Sequence, residues 1–179
     1  MRFVKLFFIS VVIFAIVIFL ISLMFPSRLV IERTGVINAP MSKVYTVAND
    51  LKGWRAWNPW MIADSVAVIN FSEPASGTGA YYTWESTKPG GGSGKVTVSD
   101  SNPQKGIYYH MDFSSMKSVY SGLEMKPSTD GSGTAIHWYL ETDLGWLPWW
   151  KFRGFMGDKL FGPQMEEGLN RLRTICEQP

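Results

Sequence analysis

Acid–base or nucleophilic chemistry needs Asp, Glu, His, Cys, Ser or Lys groups held beside a substrate, and this chain offers few in a fitting pattern. It has two histidines, His110 and His137, and one cysteine, Cys176. A lone cysteine excludes an intramolecular disulfide and a cysteine-based zinc site, and two histidines leave little for a histidine-based one. No metal and no cofactor is therefore expected. The stretch Gly90-Gly91-Gly92-Ser93-Gly94 lacks the Lys-Ser/Thr of a phosphate loop and leads into a strand pattern, so it reads as a hairpin connection. A catalytic acid or base would have to come from a loop, at Asp64 or Glu73. The marked excess is aromatic, 15% of residues with eight Trp, which suits a large apolar interior or an apolar ligand.

Charge narrows the classes further. Of the 17 Lys and Arg, Arg2 and Lys5 precede an uncharged run from Leu6 to Phe25, and the others balance the 15 Asp and Glu. A polyanion binder shows a basic excess, so nucleic acid is not an expected partner. At about 1.5 Å per residue, Leu6–Phe25 matches the roughly 30 Å hydrocarbon core of a bilayer. The run exceeds the usual apolar region of a cleavable signal peptide, and Met24-Phe25-Pro26-Ser27 stands where an A-x-A-like site would be. Residues 1–25 are thus expected to be a retained, single-pass transmembrane anchor and residues 26–179 one folded domain with its own core. Arg2 and Lys5 on one side face Arg28, Arg33 and Lys43 on the other, so the positive-inside rule does not set the orientation. A short basic tail held in the cytoplasm places the domain on the outer side. Only Pro26-Ser27-Arg28 separate anchor from strand, which starts the domain within roughly 10 Å of the bilayer surface.

The folded part must position the aromatic residues. Strand patterns fall at Leu29–Asn38, Val66–Phe71, Gly79–Ser86, Gly94–Ser99, Lys105–Phe113, Ser118–Lys126 and Gly133–Asp143, separated by turns at Gly77-Thr78-Gly79, Pro89 to Gly94, Asn102-Pro103 and Asp130 to Gly133. A short helix from Ala39-Pro40 to about Asn49 and a Trp-rich loop, Trp54 to Trp60, follow the first strand. Alternation puts Tyr82, Trp84, Tyr109, Met111 and Trp138 on one face with Val96, Val98, Leu123 and Ile136. Tyr81, Tyr108, His110, Tyr120, His137 and Tyr139 fall on the other, which makes the histidines surface residues rather than catalytic ones. Strands with one apolar and one polar face belong to an antiparallel sheet covered on one side. The cover is a last helix that Pro163 opens, whose Phe161, Met165, Gly168, Leu169, Leu172, Ile175 and Cys176 fall in an arc of roughly 120°. Cys176 on that stripe reads as a buried small hydrophobe.

Several local signatures occur in a fixed order. They are Val36-Ile37-Asn38-Ala39-Pro40, then Val44-Tyr45, then Trp54 with Trp57-Asn58-Pro59-Trp60, then Gly77-Thr78-Gly79-Ala80-Tyr81-Tyr82-Thr83-Trp84-Glu85, then Gly133-Thr134 before Trp138, and finally Glu167-Gly168-Leu169 with Leu172. In this order they resemble the SRPBCC (START-like, polyketide cyclase/dehydrase-like) superfamily over about residues 28–178, and within it the bacterial group with an amino-terminal membrane anchor. The resemblance implies an α+β helix-grip fold: a curved antiparallel sheet of about seven strands wrapped on a long carboxyl-terminal helix around an apolar cavity. Members use that cavity for lipid or hydrophobic-ligand binding or for cyclase chemistry, and some make co-chaperone contacts.

Three functions follow as expectations. The first is non-catalytic binding of a hydrophobic small molecule or lipid by Tyr82, Trp84, Tyr109, Met111, Trp138, Trp57 and Trp60, in a domain tethered on the periplasmic side of a bacterial inner membrane. The second is a cyclase- or hydrolase-like enzyme whose acid or base is Asp64 or Glu73. The third is a protein-interaction module using the tyrosines of the polar sheet face. A further expectation concerns Trp146 to Arg153, where Trp and cations could rest at headgroup level or pack the start of the last helix against the sheet.

Overall fold

A computed structural model of the chain describes residues 2–88, 91–114, 117–129, 131 and 133–178. The expected turns at Pro89 to Gly94 and Asp130 to Gly133 therefore lie partly outside the described residues. The elements run α1 (Arg2–Ser22), β1 (Arg28–Ile37), α2 (Met41–Asn49), a 3-10 turn (Gly53–Ala56), α3 (Pro59–Ala63), β2 (Val68–Phe71), β3 (Tyr81–Glu85), β4 (Ser93–Asn102), β5 (Gly106–Phe113), β6 (Val119–Pro127), β7 (Thr134–Asp143), α4 (Pro148–Phe155) and α5 (Gly157–Glu177). The seven strands form one antiparallel sheet in the order β1-β7-β6-β5-β4-β3-β2, with the first strand beside the last. This is the α+β helix-grip arrangement, with α5 packed on the covered face chiefly against β1 and also against α2, α3 and α4.

Alternation decides which side chains meet α5. Tyr82, Val96, Val98, Ile107, Tyr109, Leu123, Met125, Ile136 and Trp138 are all buried, joined from the helix by Met165, Leu169, Leu172 and Cys176. β4 runs three residues beyond the expected Ser99, because the ladder slips between Val98 and Asp100 and then resumes. The added length matters to α2: Ser101 donates to Asn49 Oδ1 at 2.7 Å, and its hydroxyl lies 2.8 Å from that of Tyr45.

Two parts of the carboxyl-terminal region differ from the sequence expectation. Trp146–Arg153 is mostly helical, as α4. α5 opens at Gly157, so Pro163 lies inside the helix rather than at its start. Pro163 has no N–H to offer the Lys159 carbonyl, but both residues are exposed and water can meet that oxygen. The early turns are held by tertiary contacts instead. Arg33 on β1 bonds Asp158 at 2.8 Å and Glu166 at 2.7 Å, bridging both sides of the proline. The guanidinium lies where a Cβ at Gly162 would stand, and a Cβ at Gly157 would come 2.8 Å from Leu29 Cδ2. Phe161, expected on the buried stripe, is 38% exposed.

α1 is exposed nearly throughout and is long and apolar enough to cross a membrane, a property that anchors and signal sequences share.

α5 also approaches the sheet closely at Gly168, where a Cβ would come 2.9 Å from both Pro59 Cδ and a ring carbon of Trp138. Neither ring can swing away as a flexible chain end would. Gly168→Ala should therefore lower stability by about 1–3 kcal/mol, overriding the helix-propensity gain of about 1 kcal/mol; chemical denaturation checks this, and an unchanged or raised midpoint would contradict the tight contact.

Candidate functional site

The Trp-rich segment folds inward because its backbone is capped locally. Asn58, itself buried, caps α3 by accepting from the Trp60 N–H at 3.1 Å, and Pro59 takes a first-turn position where its missing N–H costs nothing. This turns Trp54 and Trp57 into the space between sheet and helix, where both are fully buried. Trp54 is the central ring. Its centroid lies 4.9 Å from that of Tyr109, 5.5 Å from Trp57 and 6.1 Å from Tyr82. Trp138 stacks edge-on with Trp57 at 5.7 Å and with the half-buried Trp60 at 5.5 Å, while Trp84 lies against Tyr82 and Phe113.

The structure thus joins six of the seven residues expected to line a site, Tyr82, Trp84, Tyr109, Trp138, Trp57 and Trp60, in one continuous ring cluster. Met111, half-buried, packs on the core from β5 between Val96 and Val119. The sequence reading did not single out Trp54 as a site residue. Its signal was present in the crowding of three Trp between positions 54 and 60, but a loop has no periodicity from which to read direction.

The polar atoms of Trp54, Tyr109 and Trp138 are paired. Trp54 Nε1 donates to the Ala48 carbonyl at 2.7 Å. Trp138 Nε1 donates to both Tyr109 Oη and Ser121 Oγ at 3.1 Å, and Ser121 in turn donates to the Tyr139 carbonyl at 2.7 Å. Trp57 Nε1, by contrast, is buried without a hydrogen-bond partner, which costs about 1–3 kcal/mol. Burial pushes the Tyr109 phenol up to about 12 and raises Tyr82 further still.

Groups able to do acid–base work lie elsewhere. The buried polar residues among those described are Ser22, Asn58, Ser121, Ser128, Thr134 and Lys151, with no carboxylate or histidine. Asp64, at the end of α3, is held below the usual carboxylate range by a hydrogen bond from Ser86 and by Lys88, whose Nζ lies at 3.4 Å. Glu73 is exposed and pairs with Lys52 at 2.7 Å. His137 sits on the outer sheet face, 3.4 Å from both Glu32 and Glu124, and His110 lies 3.4 Å from Asp112. The outer face has a shallow hollow of about 410 Å³ around Val36, Glu124, Lys126 and His137. Cys176 is buried, and its thiol is pushed up to about 11 by that burial.

On the helix side, a hollow of about 360 Å³ opens between α3 and α5, walled by Pro59, Ile62, Ala63 and Pro163 and lipped by Gln164, Glu167 and Arg171. Its wall residue Pro59 abuts Gly168, which also touches Trp138, and the next residue, Trp60, stacks on Trp138. One layer of rings separates this hollow from the cluster.

The polyketide cyclase / dehydrase and lipid transport family model matches residues 28–177. No curated protein matches the chain. Solved structures share its fold at low identity. Protein CV1439 from Chromobacterium violaceum is 15% identical with a TM-score of 0.59, the match covering 84% of this chain and 99% of that one. Protein jhp0584 from Helicobacter pylori is 9% identical with a TM-score of 0.61, covering 83% and 88%. The di-domain ARO/CYC StfQ of the steffimycin biosynthetic pathway is 13% identical with a TM-score of 0.62, covering 84% of this chain and 51% of that one.

Two outcomes follow from the buried polar network. Tyr109→Phe and Ser121→Ala each leave Trp138 Nε1 one acceptor, whereas the double variant leaves none. Its loss of stability should exceed the sum of the single losses by about 1 kcal/mol in a denaturation cycle; strict additivity would refute the shared acceptor role. The Tyr109 pKa rises from its ordinary 10.0 to about 12 on folding, so the folded state keeps a proton that the unfolded chain loses. The stability that depends on Tyr109 is complete below pH 10 and falls as pH rises from 10 to 12. Alkaline melting curves of wild type and Tyr109→Phe should converge over that window.

Proposed function

We propose, from the premise that this chain belongs to the polyketide cyclase / dehydrase and lipid transport family, that it binds a hydrophobic small molecule or lipid without catalysis while α1 holds it to a membrane. The observation that carries the reading is Trp57: an indole N–H buried without a partner, in a ring cluster that holds no carboxylate or histidine among the described residues, two residues before Pro59, which lines the apolar hollow between α3 and α5. A ligand entering by that hollow meets Pro59, Ile62 and Ala63 first, and then Trp60, which is next to Pro59 in the chain but does not line the hollow. Displacing this half-buried ring from Trp138 exposes Trp57 and Trp138, and behind them Tyr82, Trp84, Tyr109 and Met111. Apolar burial at about 25 cal/mol per Å² supplies most of the affinity. A carbonyl or hydroxyl oxygen on the ligand gives Trp57 Nε1 its acceptor, so an apolar molecule with one polar oxygen fits better than a plain hydrocarbon.

The loop carboxylates give catalysis less support: Glu73 is exposed and ion-paired, and Asp64, whose Oδ1 is also buried without a hydrogen bond, faces Lys88 at 3.4 Å and is not part of the ring cluster. In this reading the tether is α1, and a short basic tail with Arg2 and Lys5 held in the cytoplasm puts the domain on the periplasmic side of a bacterial inner membrane.

Native mass spectrometry of the gently extracted full chain should reveal a co-purified lipid or small apolar molecule. Ala63→Trp, at an exposed position on the hollow's wall, should weaken binding of a fluorescent fatty acid at least tenfold, about 1.4 kcal/mol, without changing the melting temperature. A bare wild-type mass together with no fatty-acid binding overturns the proposal; full binding by Ala63→Trp moves the entrance elsewhere.

A further inference from the structure

The corner between α4 and α5 has two unlike faces. Lys151, Gly154 and Gly157 face inward and are buried. The two glycines let the corner sit close, because a Cβ at Gly154 would strike Leu144 and one at Gly157 would strike Leu29. Facing outward are Trp149, Phe152, Met156 and Leu160, spaced by three, four and four residues along the two helices and 58%, 39%, 52% and 55% exposed, with Trp146 just ahead at 69%. Scattered exposed apolar residues need no explanation, but a contiguous edge of five large ones does.

The same corner grips the end of α1. Lys151 is 5% exposed, and its ammonium donates to the carbonyls of Ser22 at 3.2 Å and Phe25 at 3.3 Å. Both carbonyls lie at or just beyond the negative end of the α1 dipole, and that of Ser22 also accepts the Phe25 N–H at 3.2 Å. The rings of Phe25 and Phe152 meet edge-on at 5.1 Å, and the Leu144 N–H donates to the Ser27 carbonyl at 2.7 Å. The apolar edge is therefore fastened to the point where α1 ends. A helix of this length rises about 1.5 Å per residue, which just crosses the roughly 30 Å hydrocarbon core and leaves its end at headgroup level.

The geometry points to a second membrane contact: the edge Trp146, Trp149, Phe152, Met156 and Leu160 rests in the interfacial layer of the bilayer that α1 crosses, held at that depth by Lys151. The inference rests on the reading of α1 as a membrane span. Trp, present twice on this edge, is favoured at that depth. The occupant is the bilayer rather than a protein, because the edge continues directly from the end of the apolar α1. The contact also bears on ligand exchange. Leu160 lies one turn from Gln164, whose amide bonds the Leu160 carbonyl at 3.2 Å, and Gln164 with Pro163 lines the hollow between α3 and α5. A lipid leaving the bilayer along this edge would arrive at that opening.

The test uses the full chain in phospholipid nanodiscs, with Cys176→Ala removing the native thiol and one spin label placed in turn through Trp149→Cys, Leu160→Cys, Phe14→Cys and Tyr120→Cys. Power saturation compares accessibility to oxygen, which partitions into lipid, with accessibility to a water-soluble nickel chelate. The ratio at 149 and 160 should be several-fold above that at Tyr120, an exposed residue of the outer sheet face, and below that at Phe14 within α1. Water-like values at both 149 and 160 with a lipid-like value at 14 overturn the interfacial contact and leave the tether standing. Water-like values at all four positions overturn the tether and the contact together. Ligand binding is read separately by mass spectrometry, so its failure is distinct from either.

Discussion

The structure depends on the close packing of α5 on the sheet, chiefly on β1 and, at Gly168, on the Trp138 ring of β7. A helix can lie on the ring of Trp138 only where its own side chain is missing, and Gly168 is that position, with Pro59 closing the contact from the side. This contact brings three separate stretches of chain together: the last helix, the seventh strand and the start of α3. Trp138 is then held from above by the helix and from the flanks by Trp57 and Trp60. Its indole nitrogen is fixed by Tyr109 and Ser121 from neighbouring strands. The ring cluster is thus a consequence of helix placement as much as of aromatic content.

Because the rings meet edge to face, each one limits the freedom of the next. Trp54 meets Trp57, Tyr82 and Tyr109 and is tied to the end of α2 through the Ala48 carbonyl, so α2, the Trp-rich segment and the sheet hold together through one indole. The weak point of this packing is Trp57, which gives up a hydrogen bond to water and gains none in the interior. A donor left unpaired at that cost, one ring layer from an open apolar hollow, is where a ligand oxygen would be best rewarded.

The junction with α1 follows a different rule. A buried ammonium is expensive unless it is paired, and Lys151 is paired with helix-end carbonyls rather than with a carboxylate. Its two bonds join the corner of α4 and α5 to the end of α1 as one mechanical unit. Arg33 does a comparable task farther along α5. By bridging Asp158 and Glu166 it keeps the helix continuous past Pro163.

The sequence by itself determined the alternation of strand faces, the apolar amino-terminal helix, the buried stripe from Met165 to Cys176 and the aromatic character of the interior. These rest on periods of two and 3.6 residues, and a period is a local property that neighbouring residues carry together. Three features were decided only by tertiary structure. α5 begins ahead of Pro163 because Arg33, distant in sequence, binds both sides of the break. Trp54 lies at the centre of the cluster because an aperiodic loop takes its direction from what it packs on. Trp57 lacks a hydrogen-bond partner because the acceptors within reach of a buried donor are set by chain segments that meet only when α5 closes over the sheet.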